Sequence, residues 1–255
     1  MRIPRVAVAA VTTVVVLAGG AYTVDAVSAS RLEAEISARI APGIPGSGPP
    51  SVMTGGPFSR WSAPDTLSSV SIRAEGVERP GLGPVAVGAE ATDVVVPGDE
   101  RNDDNDDDNP ASGLTAGSVV VSVQIIGDSL APALGMRDVL VGAADDPSLA
   151  GGTEHRARVT GTLVESGERV SAIVDLVVDA SGAHLVPVSA ATGPGGVPDQ
   201  DPALAMRSVA LTFAPDLLPL GVPVETLTVK GGTITAAGAG GPGTPPLDGL
   251  VRGDL

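Results

Sequence analysis

Hydrophobic and polar residues alternate with a period of two over most of this chain. From Leu67 onward, Val70 and Ile72 fall on one side of the pattern, and Ser71 and Arg73 fall on the other. Such alternation is typical of a strand with one buried face. The same pattern recurs at Val85–Ala89, Val119–Ile125, Val139–Val141, Val159–Leu163, Val170–Val178, from Leu185 onward, and at Leu227–Val229. The sequence therefore predicts a mostly β protein.

Short turn sequences join several of these segments. They are Ser166-Gly167, Ser181-Gly182 and Gly231-Gly232. Tight turns of this composition connect antiparallel neighbours, so we expect hairpins rather than parallel crossovers. Two short helices are predicted between strands, at Asp128–Gly135 and at Asp201–Val209, the second of which opens on an Asp-Pro pair.

The first residues of the chain have a different pattern. Val6–Val24 is an uncharged stretch of nineteen residues that follows Arg2 and Arg5. A stretch of this length is able to span a bilayer, and the preceding arginines favour a cytoplasmic N-terminus. Residues 1–24 are therefore predicted to be a transmembrane anchor or a cleaved signal, and both interpretations stay open. Either one places the rest of the chain on the extracytoplasmic side, held at the cell membrane by a single span or secreted into the cell envelope.

A domain over residues 25–240 is predicted to follow, with a flexible tail at 241–255. It opens with an amphipathic helix, in which Ala29, Leu32, Ile36 and Ile40 recur at three- and four-residue spacing. The Pro- and Gly-rich stretch Ala41–Gly56 predicts a connector without regular structure. Glycine and proline dominate again from Gly238 to Leu255, where we expect a mobile end to the chain.

Composition and charge exclude several classes of function. The chain of 255 residues is 43% hydrophobic and 2% aromatic, has no cysteine and two histidines, and carries a net charge of −15. Disulfide scaffolds and thiolate metal sites are therefore excluded, and a basic nucleic-acid surface is not expected. His155 and His184 are 29 residues apart, without the spacing of a metal-binding pair, and are predicted to lie on the surface. No cofactor and no metal site are predicted.

An acidic insertion is predicted at residues 97–113, within the domain. Its block of aspartates is a candidate calcium site of the EF-hand type. An EF-hand loop needs Gly at position six and Glu at position twelve. Counting from Asp103, those positions hold Asp108 and Leu114. A disordered, solvated loop is therefore the preferred interpretation.

One tetrapeptide matches an enzyme signature. Gly127-Asp128-Ser129-Leu130 is similar to the opening motif of the GDSL esterases, and it follows a strand-like run as the nucleophile of that family does. Those enzymes also need an Asp three residues before the catalytic His, whereas Gly152 precedes His155 and Ser181 precedes His184 at that distance. An esterase using Ser129 is therefore a minor alternative, and a capping or turn role for Ser129 is preferred.

The order of features along the chain resembles the LmeA-like phospholipid-binding proteins of actinobacterial cell envelopes. The resemblance covers about Ser30–Ala239 and follows the hydrophobic N-terminal segment. It is carried by Gly56-Pro57-Phe58 with the strand Leu67–Val77, by Val119–Ile126 leading to Ser129–Leu134, and by Leu218–Val222 before Thr226–Ile234.

The resemblance implies an α+β, mostly β fold in which a long curved antiparallel sheet wraps around one or more helices, as in tubular lipid-binding proteins. It implies non-enzymatic binding of phospholipid or a related glycolipid in an apolar groove outside the cytoplasmic membrane, with transfer of the lipid as an extension. A sheet with one aliphatic face suits acyl chains, because each methylene removed from water contributes about 0.8 kcal/mol. A ligand-free structural or interaction domain of the envelope is the alternative, because the same faces are able to pack into a closed core.

Candidate lipid-contacting residues follow from these faces and from the few aromatic side chains. They are Phe58, Trp61, Leu67, Val70, Ile72, Val121, Val123, Ile125 and Phe213. Phe58 and Trp61 are candidates for contact with the membrane or the mouth of the groove, although isolated aromatics more often anchor a core. Since the net charge is −15, attraction of an anionic headgroup would depend on local arginines such as Arg60, Arg73 and Arg79.

Overall fold

The computed structural model describes residues 30–31, 33–34, 36–38, 49–55, 66–95, 115–144 and 153–242. The predicted membrane or signal segment at 1–24, the acidic insertion at 97–113 and residues 243–255 of the predicted tail lie outside the described residues. In the part of the chain that is described, we find no helix with the length and apolar character needed to cross a bilayer.

The described residues form two antiparallel sheets. Sheet A contains six strands in the order β1-β2-β3-β4-β11-β10, and sheet B contains five in the order β5-β6-β7-β8-β9. The strands of sheet A are β1 (Ser51–Thr54), β2 (Thr66–Val77), β3 (Val85–Val95), β4 (Ser118–Ile125), β10 (Thr226–Lys230) and β11 (Thr233–Gly240). Those of sheet B are β5 (Met136–Ala143), β6 (Arg156–Leu163), β7 (Arg169–Asp179), β8 (Gly182–Ala190) and β9 (Leu211–Thr212).

Two α-helices occur where the sequence predicts them. Helix α1 (Gly127–Leu134) ends at Gly135, whose φ of 61° is a conformation that glycine adopts without strain. Helix α2 (Pro202–Val209) begins after Asp201, whose side chain accepts a hydrogen bond from the backbone N–H of Ala203. Residues 30–31, 33–34 and 36–38 are also helical, and 3-10 turns lie at Thr153–His155 and Pro219–Gly221.

The period-two pattern gives each sheet one buried and one outer face. In sheet A, Ile72, Ala89 and Val121 lie directly opposite one another on β2, β3 and β4, and each is at most 2% exposed. The next row, formed by Arg73 and its cross-strand neighbours, points the other way. Because opposing residues share a face, this register unites the apolar positions of all three strands.

The buried faces of both sheets contribute to one hydrophobic core. Helix α1 connects the sheets, and strands β10 and β11 of sheet A contact β5 of sheet B. The connection requires glycine at position 127, because a Cβ there would lie 1.9 Å from the carbonyl oxygen of Val139. Leu130 of α1 is fully buried. The helix therefore joins the two sheets covalently and also packs into the core.

The structure corrects three expectations about the fold. The mostly β character and the antiparallel hairpins are confirmed, but the strands form two sheets instead of one long sheet, because β5 pairs with β6 and not with β4. The predicted connector contains β1, which pairs with β2. The predicted mobile end begins too early, because Gly238 to Gly240 belong to β11 and pair with β4. Cross-strand pairing overrides the local preference of a Gly-rich sequence there.

Candidate functional site

The apolar interior between the sheets contains most of the predicted lipid-contacting residues. Six of them lie on the inner face of sheet A and are at most 2% exposed: Leu67, Val70, Ile72, Val121, Val123 and Ile125. Phe213, which follows β9, is 4% exposed and belongs to the same core. Phe58 and Trp61 lie outside the described residues. The structure thus brings seven of the nine predicted positions into one cluster.

The chemistry of this interior is almost entirely aliphatic. Valine, leucine, isoleucine and alanine predominate, and Phe213 is the single aromatic side chain among the buried core residues that the structure describes. Such a lining offers an acyl chain many dispersion contacts and no fixed geometry, because burial of methylene groups is non-directional. The interior is suited to apolar chains and carries little that would bind a polar ligand.

A buried arginine lies just beyond the end of β2. Arg79 is 7% exposed, and its carbonyl oxygen accepts a hydrogen bond from the N–H of Leu82 in the turn that leads to β3. Burial lowers the pKa of Arg79, while the nearby carboxylate of Asp216 acts in the opposite direction. An arginine side chain remains charged under these conditions. Arg79 is therefore the one charged side chain among the buried residues that the structure describes.

The other two arginines considered for headgroup attraction differ from Arg79. Arg73 lies on the outer face of sheet A with 55% of its side chain exposed. Its guanidinium donates a hydrogen bond of 2.9 Å to Gln124 and lies 3.8 Å from the carboxylate of Glu75. Arg60 lies outside the described residues. Among the described members of this group, only Arg79 is buried.

The serine of the esterase-like motif is part of the packing between a turn and a helix. Ser129 is 1% exposed, and its hydroxyl donates a hydrogen bond to the carbonyl oxygen of Pro84. The N-cap of α1 is Ile126, without a side-chain cap, so the predicted capping role is wrong. Neither histidine is a partner of Ser129. His155 bonds the carbonyl oxygen of Leu227, and His184 lies within hydrogen-bonding distance of Ser181. In the described part of the chain, Ser129 therefore lacks the histidine partner that the esterase interpretation requires.

The two histidines differ in exposure. His155 is exposed, as predicted, whereas the side chain of His184 is only 15% exposed. His184 lies within hydrogen-bonding distance of Ser181 and Thr212, and 3.4 Å from Asp179. Hydrogen bonds from Ser181 are the main cause that lowers the pKa of Asp179, with a smaller contribution from His184. Within the described ranges, no three His, Asp or Glu residues cluster to hold a metal.

A second candidate site, absent from the sequence prediction, lies on the outer face of sheet B. It is a cleft of about 320 Å³ between strands β6 to β8 and the segment that follows β8. The lining residues are Ala144, Arg156, Arg158, Ile173, Val188, Ser189, Ala190, Ala191, Thr192, Gly193 and Pro194. Arg156 and Arg158 alternate with Ala157 and Val159 in the sequence, and this pattern is enough to place both arginine side chains on the outer face of β6. The pattern does not show that the segment after β8 borders the same cleft.

Comparison with protein families matches residues 23–239 to the LmeA-like phospholipid-binding family. The chain belongs to this family. The match covers most of the chain and confirms the resemblance seen in the motifs. No curated protein and no solved structure gives a match.

Membership of the LmeA-like family associates the fold with phospholipid binding. It is not a known family of enzymes. The matched range includes both sheets, the buried Arg79 and the cleft beside Arg158. Both candidate sites are therefore part of the region that the family shares.

Proposed function

We propose that this protein binds a phospholipid, or a related envelope glycolipid, without chemical turnover, with the acyl chains between the inner faces of sheets A and B. The observation that carries the proposal is the continuous aliphatic cluster to which both sheets contribute. Membership of the phospholipid-binding family supports the choice of ligand.

Acyl chains suit this interior because small side chains are interspersed with branched ones. Alanines occupy inward positions on both sheets, among them Ala89 and Ala91 on β3, Ala157 on β6 and Ala172 on β7, and each is at most 2% exposed. An entering chain would replace contacts between the two sheets by contacts of each sheet with methylene groups. The apolar area removed from water then stabilises the complex by about 25 cal/mol per Å².

Arg79 is the residue proposed to contact the phosphate of the headgroup. Its guanidinium is buried beyond the end of β2, and a guanidinium is able to form paired hydrogen bonds with phosphate oxygens. The carboxylate of Asp216 would compete with the phosphate for the same cation. A local cation matters here because the chain as a whole carries a net charge of −15, which repels anionic lipid surfaces.

The location proposed for this activity is the extracytoplasmic side of the membrane. The uncharged stretch Val6–Val24 after two arginines supports this location, because such a stretch anchors or exports the chain that follows it. A tethered domain would hold lipid near the bilayer, whereas a released domain would also be able to transfer it. Transfer is therefore the extension of the proposal and depends on the fate of this stretch.

The experiment is native mass spectrometry and organic extraction of residues 30–255, purified without detergent. We expect about one phospholipid per chain. In Ala89→Phe, a ring on the inner face should occupy acyl-chain space and strongly reduce the bound lipid. The matched control is Ala86→Phe, on the outer face of the same strand, which should retain the lipid. Thermal unfolding of both variants checks the fold, because overpacking costs about 1–3 kcal/mol.

The result that would overturn the proposal is a compact, lipid-free wild-type protein that also fails to take up added phospholipid. The interior would then be a closed core, and a ligand-free structural or interaction domain would be the better account. Equal lipid loss in Ala89→Phe and Ala86→Phe would contradict the placement of the acyl chains between the sheets.

A further inference from the structure

The cleft on sheet B is separated from the interior by the sheet itself. Arg158 alternates along β6 with Ala157 and Val159, both fully buried on the inner face. Successive side chains of a strand point to opposite faces, so the Arg158 side chain lies on the outer face. Ile173 of β7 is directly opposite Arg158 and Ser189 of β8 is directly opposite Ile173, so all three share this face.

The two arginines of the cleft differ in their hydrogen-bond partners. Arg156 forms a double hydrogen bond with Asp175, with its Nε 2.6 Å from one carboxylate oxygen and its Nη2 3.1 Å from the other. The Nε of Arg158 is buried and has no hydrogen-bond partner among the residues described. The described lining contains no carboxylate. A buried donor without an acceptor is costly, and a bound anion would remove that cost.

The segment after β8 fixes the position of the Arg158 guanidinium. Gly195 has a φ of 78°, and a Cβ at this position would lie 2.7 Å from Nη1 of Arg158. Gln200 holds the end of the segment by accepting a hydrogen bond from the N–H of Ser171 and donating to its carbonyl oxygen. The guanidinium is therefore held between the sheet and a pinned backbone, which reduces the entropy lost when it binds a ligand.

We propose that this cleft is a phosphate-binding site in which Arg158 supplies the principal charge. The hydroxyl groups of Ser189 and Thr192 line the same cleft and provide further donors, while Ile173 and Val188 provide an apolar side suited to the carbon part of an ester. Its volume, about 320 Å³, is large enough for a phosphate ester. The shared chemistry is the phosphate group, either free or as the phosphodiester of a lipid headgroup.

The test uses the full chain labelled with ¹⁵N and follows two sets of NMR signals during titration. The arginine Nε–H signals report on Arg158 itself, and the backbone amides of Ser189 and Thr192 in the cleft report binding in every variant, including Arg158→Gln. One arm adds inorganic phosphate, and the other adds glycerophosphoglycerol, a phosphodiester headgroup without acyl chains. We expect the Arg158 signal to shift with saturation, and Arg158→Gln to weaken binding about tenfold or more, as expected for a charge-assisted hydrogen bond. Arg169→Gln removes the same charge from an exposed position of sheet B outside the cleft and should bind as the wild type does.

The two arms distinguish the source of the phosphate group. Tighter binding of glycerophosphoglycerol would assign the cleft to lipid headgroups, and tighter binding of inorganic phosphate would assign it to free phosphate. The proposal is overturned if neither probe shifts the Arg158 signal, or if Arg158→Gln and Arg169→Gln weaken binding equally. The readout concerns the outer face alone, so a lipid-free interior would leave this result unchanged.

A second variant tests the geometry. Gly195→Ala adds a methyl group against the guanidinium in a backbone conformation that alanine adopts poorly. It should displace Arg158 and weaken phosphate binding without removing any charge. Wild-type affinity in Gly195→Ala would contradict the role of the segment in positioning Arg158.

Discussion

The two sheets have similar inner faces and different outer faces. On both, small and branched aliphatic side chains alternate toward one shared core. On the outer face of sheet A, Arg73 is largely exposed and has Gln124 and Glu75 as partners. On the outer face of sheet B, a distant segment covers Arg158 and buries its Nε. Both inner faces therefore offer the same aliphatic surface to an apolar chain, whereas the two outer faces differ in how far their arginines are buried.

Two pairs of hydroxyl groups illustrate the same difference. On sheet A, the hydroxyls of Thr92 and Ser118 are 2.8 Å apart and exposed. On sheet B, those of Thr160 and Ser171 are 2.7 Å apart and buried. The bonds have the same chemistry and almost the same length. Only the second pair is shielded from water, so only there does loss of one partner leave a buried polar group without a substitute.

The largest expected effect tests whether the inner faces form one cooperative core. Ile125→Ala in sheet A and Leu185→Ala in sheet B should each lower the free energy of unfolding by about 2–5 kcal/mol, because both side chains are buried. The controls Val120→Ala and Val186→Ala change exposed positions of the same two sheets and should stay within about 0.5 kcal/mol of wild type. Urea unfolding measures all four.

In this experiment, a single transition that shifts in both core variants would support one core. Separate transitions, each sensitive to one variant only, would show that the sheets unfold independently and would contradict a single shared core.

The next largest effect is the difference in stability loss when the same kind of hydroxyl pair is broken on each outer face. Ser171→Ala should destabilise the protein by about 1–3 kcal/mol, because the buried Thr160 hydroxyl loses its partner. Ser118→Ala removes the equivalent exposed bond and should change stability by less than about 0.5 kcal/mol, since water replaces the lost partner. Thermal unfolding of the two variants gives the contrast. Equal losses would mean that the two outer faces do not differ in burial as described.

The smallest expected effect is a pH-dependent contribution to stability from Asp179, which lies in an exposed turn of sheet B. Hydrogen bonds from Ser181 lower the pKa of Asp179 below its ordinary value of 3.8 in the folded protein. A lowered carboxyl pKa contributes stability above the unfolded pKa, and this stability is lost as pH falls through the folded pKa. Asp179→Asn should therefore be slightly less stable than wild type at neutral pH, and the difference should vanish in acid. A difference that grows as the pH falls would contradict this sign.

Most of the candidate interior was predictable from the sequence, and the cleft was not. Val70, Ile72, Val121 and Val123 were chosen because alternation placed them on one face, and the structure buries all four together. Arg158 obeys the same alternation, yet its partner segment lies more than thirty residues later in the chain. Periodicity reports which face a residue occupies but carries no information on what later covers that face.

The sequence by itself determined most of the strands, the tight turns, the two short helices and the family, because alternation, turn residues and caps act between neighbours in the chain. Only the tertiary structure decided that the strands form two sheets, that β11 continues through a Gly-rich end and that β1 lies within the predicted connector. It also decided that Arg79 is buried near Asp216 and that the segment after β8 lies against Arg158, whose Nε is buried. These features depend on pairing and burial between distant segments, whose free energy no local pattern contains.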